Sequence, residues 1–279
     1  MIQVAIIGAG FIGPAHLEAL RRLGDVEVVA LCDSRLEAAQ RKAQALNIAH
    51  AYDSVEALLA HPGLQVVHNC TPNHLHAQIN RQILAAGLHV FSEKPLCMTA
   101  EEARELVALA ARAGVVHGVS FVYRQFAMVQ QAAAMIRHGE VGRIFAAHGS
   151  YLQDWMLLET DYNWRVDSAQ GGASRTVADI GSHWCDTVQF MTGRRIVEVM
   201  ADLSIVWPTR KAPVNGKATF SAVHEAQAYE TRPVDTEDFG SVLLRFDDGS
   251  KGSFMVSQVS AGRKNRLAVE VNGSRCSLA

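Results

Sequence analysis

Three groups of residues in this 279-residue chain have types and spacings suited to chemistry. The first is Gly8-Ala9-Gly10-Phe11-Ile12-Gly13, which directly follows the apolar run Ile2-Gln3-Val4-Ala5-Ile6-Ile7; Asp33 lies twenty positions beyond the last glycine (33 − 13). A strand, a Gly-x-Gly-x-x-Gly turn, a helix and an acid at that distance make a dinucleotide-binding fingerprint. Gly8 allows the tight turn, Gly10 lets the backbone approach a pyrophosphate, and Gly13 lets the helix pack close to the sheet, with Phe11 and Ile12 completing the turn. The helix N-terminus offers free N–H groups and partial positive charge to phosphates. Asp33 is placed to accept hydrogen bonds from the adenosine ribose hydroxyls, which favours NAD over NADP. Ser34 and Arg35 keep NADP possible by offering partners to a 2′-phosphate; the alternative is that Arg35 stacks on adenine.

The second group closes two later strands, in Cys70-Thr71-Pro72-Asn73-His74 and Ser92-Glu93-Lys94-Pro95. Ligands of open α/β sheets bind beyond the carboxyl ends of the strands, so both segments open on the same edge as the glycine turn. Topology therefore places Lys94 toward the nicotinamide end of a dinucleotide, and Pro95 biases its backbone away from helix. The alternative is a solvated lysine after a strand. The third group is Asp179-Ile180-Gly181-Ser182-His183. Acid and imidazole lie four apart at a helix start and share a face, an arrangement suited to general acid–base work because a carboxylate can orient a histidine. Asp186 continues that face, opposite Trp184, Val188 and Met191. A structural Asp–His pair and half of a metal site are the alternatives; with no His-Glu-x-x-His pattern or second ligand cluster, no metal is expected. Weaker candidates are Tyr123-Arg124, Asn163-Trp164-Arg165, and Tyr151 with Asp154. Aromatic, guanidinium and carboxylate groups suit a polyhydroxylated ligand, but Trp164 also fits as a core plug and Arg124 as the partner of a surface acid.

These groups need elements to hold them. Up to residue 122, apolar runs at 2–7, 26–32, 65–70, 88–91 and 115–120 alternate with helical stretches near 13–22, 35–46, 54–60, 74–86 and 100–113. That alternation implies βαβ units and a doubly wound parallel sheet of Rossmann type. Ser54 and Thr99 are expected N-caps, with Glu102 placed for a capping box, and Gly87 and Gly114 are expected at helix C-termini. Residues 123–279 read as a second, α+β domain on a largely antiparallel sheet. It has helices near 126–138 and 179–192, strands at 143–153, 196–206, 239–246, 251–259 and 266–271, and a hairpin turn at Asp247-Asp248-Gly249-Ser250. The segment 208–237, rich in Pro, Thr and charge, reads as an excursion from that sheet.

Composition narrows the class. A hydrophobic share of 49% and a charged share of 19% indicate a globular protein, and a net charge of −2 without a basic run argues against nucleic acid or an anionic membrane as partner. No apolar stretch is long enough to span a bilayer, and the chain opens on its first strand, leaving no room for a signal peptide. The five cysteines (Cys32, Cys70, Cys97, Cys185, Cys276) are scattered and odd in number, as expected of reduced thiols in a cytoplasmic protein.

Taken in order, Gly8 to Gly13, Thr71-Pro72-Asn73, Glu93-Lys94-Pro95, Asn163-Trp164-Arg165 and Asp179 to His183 resemble the glucose–fructose oxidoreductase / inositol dehydrogenase (Gfo/Idh/MocA) family across the whole chain. The resemblance implies an NAD(P)-dependent oxidoreductase that moves a hydride between a secondary alcohol of a sugar or cyclic polyol and nicotinamide. It implies that Lys94 contacts nicotinamide and substrate hydroxyl, that His183 is the base and that Asp179 supports the substrate. Trp164 and Arg165 match a cofactor-contacting pair, and Thr71, Pro72, Asn73, His76 and Glu93 fall with the cofactor-binding set. Arg124, Tyr151 and Asp154 join Asp179 and His183 at the substrate. A homodimer or homotetramer is implied as well. The family continues beyond the Val269-Glu270-Val271-Asn272-Gly273-Ser274 strand and turn, so this chain reads as short at its C-terminal end. The rival readings are a family member that uses NAD without net redox, of glycosidase or epimerase type, and a dinucleotide-binding sensor; the latter is disfavoured because Lys94 and His183 are both present.

Overall fold

Strand β1 (Ile2–Ile7) is buried on both faces from Val4 onward, which requires cover from above and below. The computed structural model, which describes residues 1–214 and 228–279, supplies that cover. Ala5 and Ile7 point into one apolar cluster while Val4 and Ile6 point into another, the two-faced burial of a parallel sheet. The remaining strands of this sheet are β2 (Val26–Cys32), β3 (His50–Tyr52), β4 (Val66–Asn69), β5 (His89–Ser92) and β6 (His117–Val119). All pairings are parallel, in the order β3-β2-β1-β4-β5-β6. Order reverses beside β1, so the carboxyl ends of β1 and β4 diverge at a switch point, where such sheets bind ligands. The helices are α1 (Gly13–Arg21), α2 (Leu36–Ala45), α3 (Val55–Leu59), α4 (Asn73–Ala85) and α5 (Ala100–Ala113). The Ser54 and Thr99 hydroxyls cap α3 and α5, accepting from Ala57 N and Glu102 N. Glu102 reaches back to Met98 N, one residue beyond the N-cap amide of the expected box. Strand β3 was not anticipated, because three residues carry too little pattern.

The chain divides into two units, Met1–Ser120 and Phe121–Ala279. The second is built on a six-stranded mixed sheet ordered β14-β13-β7-β12-β11-β8. Its strands are β7 (Ile144–Leu152), β8 (Ile196–Ser204), β11 (Phe239–Phe246), β12 (Lys251–Ser257), β13 (Arg266–Gly273) and β14 (Ser277–Leu278). Neighbours run antiparallel except β7 with β12. Helices α6 (Ala127–Arg137), the short α7 (Ser168–Gly171) and α8 (Ser182–Thr192) complete the unit. Trp184, Val188 and Met191 of α8 are buried with Val242, Leu244 and Phe254, and the Trp184 and Phe254 rings stack at 4.6 Å. Of the expected excursion, the described flanks β9 (Thr209–Pro213) and β10 (Tyr229–Pro233) form a separate antiparallel ribbon; residues 215–227 lie outside the described residues.

Candidate active site

In the first unit the glycine turn is dictated partly by the fold and partly by something the fold does not need. Gly8 has φ +97°, and a Cβ there would sit 2.5 Å from the Cys70 carbonyl oxygen; a Cβ on Gly13 would sit 2.4 Å from the Gly8 oxygen. Both positions exclude side chains on local geometry alone. At Gly10 a Cβ would meet no described atom within 4 Å, so its glycine leaves open a cradle that the protein itself does not fill. Among the described residues no side chain caps the adjoining N-terminus of α1. The Asp33 carboxylate is aimed at the same turn: Oδ2 accepts from Ala9 N at 3.3 Å and Oδ1 from Ser34 N at 2.8 Å. Arg35 is exposed, in extended conformation before α2. An open cradle, uncapped N–H groups and an oriented acid fit a dinucleotide.

The strand ends beside this turn are braced internally. Thr71 Oγ1 donates to Asn69 Oδ1 at 2.7 Å, and Pro72 precedes Asn73, the first residue of α4. His76 is buried; its Nδ1 lies 2.6 Å from the Pro95 carbonyl oxygen and its Nε2 2.7 Å from that of Thr71, so its ring ties the two loops together. Burial pushes the His76 pKa down against those carbonyl contacts. The Glu93 Oε1 lies 3.0 Å from His16 Nε2, and Oε2 accepts from Lys94 N at 3.1 Å. Burial pushes the Glu93 carboxyl up, but hydrogen bonds from His16 and Ser120 outweigh it and hold the group below the usual carboxylate range.

In the second unit Asp179 sits in a π-helical turn, Val177–Gly181, that runs into α8 where a plain helix start was expected. The wider turn is closed by Ser182 N on the Val177 oxygen, and such turns recur at functional sites. Glu237 accepts from Arg175 N at 3.1 Å and Val177 N at 2.8 Å, anchoring the turn's start. Asp179 Oδ2 accepts from the buried Gln258 amide at 2.8 Å, and Arg165 Nε lies 3.7 Å from Oδ1. The Arg165 guanidinium in turn lies over the rings of Trp164 and Trp155, at 4.4 and 5.9 Å. His183 is buried within an aromatic frame, its ring centroid 4.9 Å from Tyr123, 5.5 Å from Phe121 and 6.3 Å from Tyr151. A closed hydrogen-bond ring fixes that frame. Asn265 Nδ2 donates to Tyr123 Oη, Tyr123 donates to Tyr151 Oη at 2.5 Å, and Tyr151 donates to Asn265 Oδ1 at 2.6 Å. Burial pushes the Tyr151 phenol up, keeping it protonated.

Two substrate candidates are otherwise engaged. Arg124 makes a bidentate pair with the buried Asp186, so the acid it meets lies on α8 and not at the surface. Asp154 accepts from Lys264 Nζ at 2.9 Å and Gly262 N at 3.2 Å. Gln258, Asn265 and Phe121 carry no signal in the sequence. They sit at strand ends and in loops, where no periodicity marks them.

Fold and site together define a dinucleotide-dependent oxidoreductase. Residues 2–121 match the model of the oxidoreductase family with an NAD-binding Rossmann fold, and residues 129–279 match the GFO/IDH/MocA C-terminal domain. The chain belongs to the GFO/IDH/MocA family and is an NAD-binding enzyme that acts on CH–OH groups. It is 30% identical to a levoglucosan dehydrogenase of Pseudarthrobacter phenanthrenivorans, the match covering 99% of this chain and 73% of that protein. It is 34% identical to a D-glucoside 3-dehydrogenase of Escherichia coli over 69% of this chain and 54% of that one. Among solved structures, a levoglucosan dehydrogenase in complex with NADH and levoglucosan superposes with a TM-score of 0.89 at 29% identity, over 99% of this chain and 72% of that one. An inositol dehydrogenase homolog from Azotobacter vinelandii complexed with NAD+ gives 0.85 at 29% identity, over 99% and 69%.

Proposed function

We propose that this protein oxidises a secondary hydroxyl of a sugar or cyclic polyol, with Lys94, Asp179 and His183 as the catalytic residues. The observation that carries the reading is the Asp179–His183 turn, an imidazole held edge-on by aromatic rings, four residues after a carboxylate that Gln258 keeps in place. His183 takes the proton from the reacting hydroxyl, a task suited to a group whose ordinary pKa lies near working pH. Lys94 donates a hydrogen bond to the oxygen as its charge changes. Asp179, whose Oδ2 accepts from Gln258, supports a substrate hydroxyl. Gly8, Gly10, Gly13 and Asp33 bind the cofactor, whose nicotinamide supplies the redox chemistry when bound. Names of relatives that act on levoglucosan and glucosides support a neutral, ring-shaped polyol as substrate. The test is NADH formation from NAD with a panel of inositols, aldoses, anhydrosugars and sugar acids. Lys94→Ala and His183→Ala are each expected to abolish turnover while NAD binding by calorimetry persists. Near-normal turnover in either variant refutes the assignment.

The same reading extends to self-association through the open face of the second sheet. Met200, Leu243 and Met255 are exposed there, and Leu243 pairs across strands with Met200 and Ser253. These residues line a shallow trough of about 540 Å³. An apolar sheet face of this kind suits a second copy in a homodimer or homotetramer. Leu243→Arg is expected to lower the mass measured by sedimentation; an unchanged mass refutes the use of this face.

A further inference from the structure

A part-buried line of titratable groups in the first unit joins the helix after the glycine turn to the Glu93-Lys94 segment. His16, in the first turns of α1, lies with its Nδ1 2.9 Å from Nδ1 of His68 on β4, and its Nε2 3.0 Å from the Glu93 carboxylate. The rings of His16 and His68 meet edge-on at 5.2 Å, and Phe91 packs against both. Glu93 Oε2 accepts from Lys94 N, and Ser120, beyond β6, adds a hydrogen bond to the same carboxylate. An ionised Glu93 only accepts, so His16 Nε2 is the donor in that link. The same carboxylate accepts from the amide of Lys94, where the line ends.

A part-buried histidine pair is usually a satisfied structural element, but this one connects two functional segments. His16 is carried by the helix that opens at the glycine turn, and Glu93 is covalently next to Lys94. We infer that His16 is a positioning residue for Lys94, clamping Glu93 so that the direction of the lysine is set by the first turns of the dinucleotide-binding helix. The inference rests on the proposed role of Lys94 in turnover.

The test compares His16→Gln, which keeps an N–H donor, with His16→Leu, which keeps bulk without one, both in the full chain. Lysines are reductively methylated with ¹³C, and the Lys94 signal is assigned by its loss in Lys94→Ala. His16→Leu is expected to move the Lys94 signal while the other lysines stay fixed. Its kcat should fall about 10- to 100-fold, the scale of a reacting group misplaced by about 1 Å, with the Kd for NAD within about threefold, under 1 kcal/mol. His16→Gln should restore the signal and bring kcat to within about threefold of the parent. An unmoved Lys94 signal in His16→Leu, with only Tm reduced, overturns the inference, as does a glutamine variant no better than leucine. Should His16→Leu not fold, His16→Asn, too short to span the 3.0 Å contact, takes its place. Turnover persisting in Lys94→Ala would refute the catalytic role of the lysine, whereas the spectroscopic arm still decides the link from His16 to Lys94.

Discussion

Gly10→Ala and Gly13→Ala should separate what the glycine turn does for the fold from what it does for the cofactor. At Gly13 the added methyl lands 2.4 Å from the Gly8 carbonyl oxygen and 3.6 Å from Ile6 Cγ2. The first contact is with a backbone oxygen that no side-chain rotation can move, so relief requires α1 to shift away from the Gly8 turn, at a cost of about 1–3 kcal/mol for overpacking. At about 2–4 °C per kcal/mol for a chain of this order of size, the NAD-free Tm should drop by roughly 2–12 °C. At Gly10 the methyl meets no described atom within 4 Å. Replacing that glycine reduces unfolded-state freedom and should leave the NAD-free protein unchanged or stabilised by up to about 1 kcal/mol. The methyl instead occupies the cradle, and losing one charge-assisted hydrogen bond there is worth about 1.5–3 kcal/mol, or about 10- to 150-fold in Kd. Thermal unfolding without NAD and calorimetric titration with NAD read the two effects separately. The reasoning fails if Gly10→Ala binds NAD like the parent, or if Gly13→Ala unfolds at the parent temperature.

Two further tests concern buried charge. Burial, with the neighbouring His16, pushes the His68 pKa from 6.5 down to about 4 despite the opposing pull of Glu93. The unfolded chain therefore binds a proton below about pH 6.5 that the folded chain refuses until about pH 4. Stability should fall by about 3 kcal/mol as pH drops through that window, and His68→Gln should flatten the slope of Tm against pH; an identical slope rules His68 out as the source. In the second unit Arg175 and Arg210 converge on Asp238, with all three side chains fully buried. Burial pushes the Asp238 carboxyl up, but Arg175, the Trp207 N–H and Arg210 outweigh it and hold it below its ordinary value. Asp238→Ala leaves two buried guanidinium groups without this counter-charge and should cost about 3–5 kcal/mol. A Tm within about 2 °C of the parent would show that these arginines find compensation elsewhere.

What the sequence determined by itself follows from local rules. The Gly8–Gly13 turn, Asp33, and the strand–helix alternation up to residue 122 were legible because glycine stereochemistry and apolar periodicity act over a few residues. The four-residue Asp179–His183 spacing reads as one helical face by the same local rule, but Asp179 sits in a π-turn ahead of α8. The tertiary structure alone decided the partners. His16 meets Glu93 across 77 residues and Asp179 meets Gln258 across 79, separations over which no sequence period operates. Arg124, an open candidate in the sequence, is engaged by Asp186, 62 residues away. The π-turn carrying Asp179 was equally hidden, because its anchor, Glu237, comes from the segment leading into β11. Chain-local preferences name the groups that can act; the packing of distant strands and helices fixes where each donor points, because a buried polar atom must find its partner wherever the fold brings one.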